Sequence, residues 1–143
     1  MSKLFVDDIV EKTSGHGVSI PGHVVQVVNT IFTTSVTTTS NTRSATGLSQ
    51  SITPQFANSK LLVQIDANGV YNSVTSGAVH LSLYRDGSQE NEFAPYHAYN
   101  TGGQSITTGA FSKLIDAGST SATTFQLYFG NHGSGTAYIN VNS

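Results

Sequence analysis

The chain contains neither cysteine nor tryptophan in its 143 residues. The lack of cysteine excludes disulfides and also zinc or redox sites of the Cys-x-x-Cys kind. Charged residues are scarce too, at 10% of the chain, where average proteins carry about 25%. The 6 lysines and arginines are scattered and the net charge is −2, so the basic stripe of a nucleic-acid-binding protein is missing. We therefore expect no nucleic-acid partner.

Long hydrophobic runs are also missing. No apolar run approaches the ~20 residues that a membrane-spanning helix requires, so we expect no membrane partner. The N-terminus carries Asp7 and Asp8 and lacks the apolar stretch of a signal peptide. We expect a protein that stays in the cell in which it is made, or leaves it by lysis.

What the chain does have is enough length for one domain with a real core, since domains commonly run to ~100–200 residues. Its hydrophobic content is 37%, and the surface must be dominated by serine, threonine, asparagine and glycine. Disorder usually requires many charges as well as few apolar residues, so a folded protein is the better interpretation. Such an uncharged polar surface suits a protein that packs against identical copies in an assembly.

The N-terminal segment differs from the rest in composition. It combines charges with an apolar set that needs a partner surface, formed by Leu4, Phe5, Val6, Ile9 and Val10. Residues 13–22 then read as turns, with Pro21 and Gly22 as breakers. We interpret residues 1–22 as an arm that attaches to another protein, and the alternative is a first edge strand of the same domain.

From residue 23 onward the pattern is that of β-strands. Strands or strand regions are expected over residues 23–32, 33–43, 48–53, 60–66, 78–85, 106–116, 122–130 and 136–141. Within them apolar and polar positions alternate, as at Leu81 and Leu83, and Asp86-Gly87 is a hairpin turn signal. About seven to nine strands separated by glycine, asparagine and serine loops are typical of a sandwich or jelly roll. No segment has the period of a long helix.

No catalytic or metal-binding constellation emerges from the motifs. The 5 histidines do not pair at a metal-ligand spacing, and Gly15-His16-Gly17 lacks the other glycines of a dinucleotide motif. Glu90 and Glu92 share a strand face, where a calcium or hydrolytic role is conceivable, but solvated carboxylates are the more ordinary interpretation. The missing tryptophan weakens a sugar-cleaving role, which needs an aromatic cleft. We expect no enzyme, no metal and no cofactor.

One aromatic segment is the candidate binding site. It is a predicted surface-binding loop whose contact residues are Phe93, Tyr96, His97, Tyr99 and Asn100. Tyrosine and asparagine in a loop on a rigid scaffold make good contact residues. The alternative is a strand that packs these aromatic rings into the core or into a subunit interface.

Several segments resemble small tail-fibre-like and virion structural proteins of marine and cyanobacterial bacteriophages. The resemblance spans nearly the whole chain and rests on recurrent strand and turn motifs. They are residues 3–12 (KLFVDDIVEK), 17–28 (GVSIPGHVVQVV), 47–54 (GLSQSITP), 59–63 (SKLLV), 83–87 (LYRDG) and 120–127 (TSATTFQL). Members of this family usually end with a further apolar strand. Since the sequence stops at Ser143, we expect that strand to be absent or supplied by a partner.

The resemblance implies an all-β fold, a jelly-roll (tumour-necrosis-factor-like) β-sandwich over residues 23–143 with an extended N-terminal arm over residues 1–22. It also implies a homotrimer on the virion surface, held to capsid or tail proteins by the arm and free to contact a host surface glycan. The shortness of the chain favours a short tail fibre, a knob or a capsid decoration protein, which would be assembled in the host cytoplasm. The alternatives are a secreted lectin-like carbohydrate-binding module and, less favoured, a small hydrolase.

Overall fold

The computed structural model describes residues 24–99 and 105–141. Within them the chain forms eight strands and no helix. The strands are β1 (Val36–Thr38), β2 (Ser44–Ile52), β3 (Lys60–Asn72), β4 (Ala78–Arg85), β5 (Ser88–His97), β6 (Thr107–Asp116), β7 (Thr123–His132) and β8 (Ala137–Ile139). A helix of membrane-spanning length and apolarity is not found in this part of the chain.

The strands make two four-stranded antiparallel sheets. The first sheet has the order β1-β8-β3-β6 and the second has the order β2-β7-β4-β5. One buried apolar cluster takes side chains from both sheets, among them Ile65 and Ile115 from the first and Leu81 and Phe129 from the second. This arrangement is consistent with a β-sandwich, and it confirms the all-β prediction. The arm residues Leu4, Phe5, Val6, Ile9 and Val10 lie outside the described residues.

The core forms where the sequence alternates. In β7 the inward residues Phe125, Leu127 and Phe129 are buried. Gln126 and Tyr128, which lie between them, are half-buried. In β4 the predicted inward residues Leu81 and Leu83 are fully buried. Side chains of a strand alternate between its two faces, so in a strand that packs against a second sheet every second side chain is buried.

The hairpin between β4 and β5 turns at Asp86 and Gly87, as predicted. Both residues have positive φ angles, 50° and 81°. Two successive left-handed residues define the type I′ turn, whose twist matches that of the flanking strands. The Asp86-Gly87 pair therefore fixes the β4–β5 register, with Arg85 opposite Ser88.

The strand predicted over residues 23–32 is wrong for the residues that are described, because the chain has no strand from residue 24 to residue 35. Of the residues that alternation placed on one face, Val27 and Ile31 are 80% and 84% exposed, and Val25 is half-buried. Branched residues favour strands only when a neighbouring strand pairs with them. Here the first strand to pair is β1, with β8.

Candidate functional site

The predicted aromatic loop is mostly a strand. Phe93, Tyr96 and His97 lie in β5, so the loop interpretation is wrong for these three residues. Tyr99 follows the end of β5, and Asn100 lies outside the described residues. Because side chains of a strand alternate between its two faces, the aromatic set is divided rather than gathered at one surface.

Phe93 and His97 turn toward the first sheet. The ring of Phe93 stacks on Phe111 of β6 at 5.2 Å between centroids, and His97 meets the same ring edge-on at 5.6 Å. Thr107 and His97 Nε2 are also hydrogen-bonded, at 3.0 Å. Burial lowers the pKa of His97, which favours the neutral ring. These two residues therefore join β5 to β6 across the two sheets, as the packing alternative predicts.

Tyr96 turns the other way, onto the face of the second sheet that points away from the core. There it lies beside His80 and His132, two histidines whose distance in the sequence does not predict their contact. The ring centroid of His132 lies 4.5 Å from that of Tyr96 and 5.1 Å from that of His80. We call the set of His80, Tyr96, His132, Arg43 and Glu92 the histidine–tyrosine cluster.

The charges of the histidine–tyrosine cluster are paired. Arg43 and Glu92 form an ion pair, and the same carboxylate lies 3.9 Å from His80 Nδ1. Burial lowers the pKa of His80, and the positive charges of Arg43 and His132 lower it further, while Glu92 acts in the opposite direction. At neutral pH His80 is therefore an uncharged, half-buried imidazole.

The carboxylate of Glu92 thus pairs with Arg43 and does not form a cation site with Glu90. Across residues 24–99 and 105–141, no group of three or more histidine, aspartate or glutamate side chains is placed to hold a metal ion. The hydroxyl of Ser82, next to His80 on the same face, is fully buried and makes no hydrogen bond, so it is not set up as an activated nucleophile. The exposed ring of Tyr96 gives this arrangement a surface suited to binding.

Several aromatic and apolar side chains near the end of β5 and the start of β6 are exposed. Tyr96 and Tyr99 are 58% and 50% exposed, and Ile106 beyond them in the chain is exposed to a similar degree. Tyrosine rings with one apolar body and one polar tip are well suited to contact another molecule. Sequence reasoning identified the two tyrosines. It missed the histidines, because only the β4–β7 register, with Ala78 opposite His132, brings them together.

A second exposed apolar feature lies on the outward face of the first sheet. Leu62 of β3 and Leu114 of β6 are cross-strand partners, and both are more than half exposed. We call this pair the Leu62–Leu114 patch.

No protein-family model and no curated protein sequence matches the chain.

Proposed function

We propose that this chain is a structural protein of a bacteriophage virion, a homotrimeric surface component built from a jelly-roll domain and anchored by its N-terminal arm. Strand order is the observation that carries the proposal. The orders β1-β8-β3-β6 and β2-β7-β4-β5 match the strand orders expected for the two sheets of an eight-stranded jelly roll, which supports this fold. Viral capsid domains and lectins are among the proteins that use this architecture.

The surface supports a role in assembly. The Leu62–Leu114 patch offers apolar area on a face whose other exposed residues are mostly polar, and exposed apolar area favours contact between protein copies. In a trimer each such contact is repeated by symmetry, so a small patch counts three times. The chain is a short tail fibre, a knob or a capsid decoration protein in this proposal.

The trimer is tested by sedimentation of the full chain. We expect three chains per particle, and we expect Leu62→Asp to dissociate them at least about tenfold more readily, because a carboxylate replaces buried apolar contact. Gln64→Asp is the matched control, since Gln64 lies two residues along the same exposed face of β3. Tens of micromolar is on the order of the Kd of a weak interface. If the wild-type chain stays monomeric at that concentration, the trimer proposal is contradicted.

Attachment to the particle is tested by immunogold labelling of intact virions. Label confined to the tail identifies a fibre or knob, and label spread over the capsid identifies a decoration protein. Removal of residues 1–22 is expected to abolish the labelling while the isolated domain keeps its unfolding transition. Protein that remains free in the lysate, with no label on particles, contradicts the virion role.

A second candidate function is a lectin-like carbohydrate-binding module, which the exposed rings of Tyr96 and Tyr99 favour. Aromatic rings and neighbouring polar groups are the usual elements of a sugar site, and the histidine–tyrosine cluster provides both. Host attachment by the virion protein and sugar binding by a secreted module use the same surface here. Their difference lies in whether the arm is required at a particle.

A glycan array of the isolated domain tests the surface. If it binds sugars, Tyr96→Ala is expected to weaken binding by about tenfold or more, the loss of one buried aromatic contact. Tyr71→Ala, on the first sheet, is the control that leaves the surface intact. Silence on the array together with arm-dependent particle labelling supports the virion role alone.

A further inference from the structure

His80 and His132 are neighbours on the outward face of the second sheet. His80 lies in β4, opposite Gly130 of β7, and His132 is the last residue of β7. The two histidines are therefore diagonal partners on adjacent strands, two positions apart in the register. Aromatic side chains in this relation are within reach of each other. The strand pairing thus brings together two imidazole rings on one face.

The distance between the two rings fits a shared metal ion. A zinc–histidine bond is about 2.0–2.1 Å long, which places the centre of each ring about 3.2 Å from the ion. Two rings bound at a tetrahedral angle then have centroids about 5.2 Å apart. The centroids of His80 and His132 are 5.1 Å apart, with the ring planes at 84°. Because χ2 of histidine is a broad torsion, rotation of the rings can direct one nitrogen of each toward a common point.

The surroundings of His80 resemble those of a metal-binding histidine. Its Nδ1 is buried and has no hydrogen-bond partner. Such atoms are uncommon in native proteins, and an ion or a water is a usual explanation for them. Glu92 Oε1 lies 3.9 Å from this nitrogen, and a carboxylate beside one ring nitrogen commonly orients the other toward a metal. With Nδ1 beside Glu92, Nε2 is the nitrogen of His80 left for the ion.

The charges of the histidine–tyrosine cluster are compatible with a cation. A histidine must be neutral to bind a metal. Burial lowers the pKa of His80, and the positive charges of Arg43 and His132 lower it further, against the opposing effect of Glu92. Arg43 also repels a cation, but its ion pair with Glu92 offsets most of that repulsion. His80 is therefore in the protonation state that a metal requires at neutral pH.

His97 provides the contrast within the part of the chain that the structure describes. Its Nε2 is hydrogen-bonded with Thr107 at 3.0 Å, and its ring packs edge-on against Phe111. Burial lowers its pKa as well, so it is also neutral at pH 7. It differs from His80 in having a partner for Nε2 and in facing the first sheet. A neutral histidine alone is thus not what distinguishes the His80–His132 pair.

We propose that His80 and His132 together bind one first-row divalent cation, with water in the remaining coordination positions. Imidazole is a ligand that suits Zn²⁺, Cu²⁺ and Ni²⁺. Two protein ligands leave the coordination sphere open, unlike the four of a closed structural zinc centre. The site concerns the folded domain alone and does not depend on the virion role.

Calorimetric titration of the full chain with ZnCl₂ tests the site, at about pH 7.5, where histidine is neutral. We expect His80→Gln and His132→Gln each to raise the Kd for Zn²⁺ at least about tenfold, because the ion then loses the second, tethered ligand. His97→Gln is the matched control and is expected to leave the Kd unchanged. His16 and His23 are present in every variant, so any binding by them is a common background.

The double variant His80→Gln/His132→Gln distinguishes one shared ion from two separate ones. If both rings hold the same ion, either single substitution removes most of the affinity and the second adds little to the loss. Losses that simply multiply show two independent histidines and overturn the proposal. It is also overturned if either single variant binds as the wild type does, or if the wild type binds no Zn²⁺ up to about 1 mM.

Thermal unfolding with and without the metal gives an independent measurement. At a Zn²⁺ concentration of about a hundred times the Kd, we expect the Tm of the wild type to rise by about 8 °C. For His132→Gln we expect at most about half this rise at the same concentration. Each variant is compared with itself, so a change in stability caused by the substitution does not enter the result. A wild-type Tm that Zn²⁺ leaves unchanged, or an equal rise in both proteins, contradicts the site.

Discussion

Arg85 joins the two sheets at the end of the fold where β4 meets the β6–β7 connection. Its guanidinium donates three hydrogen bonds, to Thr123 Oγ1 at 3.0 Å, to the carbonyl of Asp116 at 3.0 Å and to the carbonyl of Ala117 at 2.6 Å. It also lies 5.7 Å from the centroid of the Phe125 ring. We predict that Arg85→Ala is among the most destabilising substitutions of a polar residue in this chain.

The magnitude follows from what each partner loses. Ala117 is 2% exposed, so its carbonyl finds no ready substitute from water, and a buried acceptor left unpaired costs about 1–3 kcal/mol. Asp116 is exposed and its carbonyl can turn to water, and the hydroxyl of Thr123 keeps its hydrogen bond to Asp86. The cation–π contact adds about 0.5–1 kcal/mol. The expected loss is about 3 kcal/mol, or about 10 °C in Tm for a chain of this size.

Urea unfolding followed by fluorescence of the tyrosines measures this loss. Arg85→Lys keeps the charge without the planar fork of donors, so it is expected to recover only part of it, leaving a loss of about 1–2 kcal/mol. Lys60→Ala is the control, because the Lys60–Asp116 ion pair is largely exposed and such pairs contribute at most about 1 kcal/mol. If Arg85→Ala costs no more than Lys60→Ala, the guanidinium is not a joint between the sheets.

Two further predictions concern buried polar groups. Asn72→Ala removes amide hydrogen bonds that include one of 2.7 Å to Asn131, so we expect a loss of about 3 kcal/mol by urea unfolding, and Asn41→Ala, which is exposed, serves as the control. An equal effect of the two asparagine variants contradicts a structural role for the buried pair. Stability should also decrease from about pH 7 to about pH 5. The reason is that the lowered pKa of His80 and His97 makes the unfolded chain bind protons first as the pH falls. His80→Gln is expected to flatten this slope, and a slope that it leaves unchanged argues against His80 as its source.

Much of the fold could be predicted because burial in a two-sheet protein follows alternation. The strand over residues 78–85 was expected with the bounds that β4 has, and the inward residues of β4 and β7 are the predicted ones. The hairpin at Asp86-Gly87 was predictable for a different reason, since few residue pairs tolerate two positive φ angles. These signals are local, so one sequence contains them in full.

The errors come from information that is not local. Residues 24–35 contain branched residues suited to a strand, but whether a strand forms depends on a neighbour far away in the chain. The aromatic segment was expected to be a loop, yet β5 continues through Pro95 to His97 with shifts in register against β4. The meeting of His80 with His132 depends on the β4–β7 register, which no spacing in the sequence encodes.

Two segments, residues 83–87 (LYRDG) and residues 120–127 (TSATTFQL), form a structural joint in this fold. Asp86, in the first of them (LYRDG), accepts hydrogen bonds from the hydroxyl of Thr123 at 2.7 Å and from the backbone N–H of Thr124 at 2.8 Å, both in the second (TSATTFQL). The two segments therefore meet at one corner of the domain, and their common residues satisfy each other there. Residues with such roles stabilise the architecture and do not identify a ligand. It follows that Arg85→Ala should lower stability without changing what the folded domain binds, whereas Tyr96→Ala should change binding at nearly constant stability.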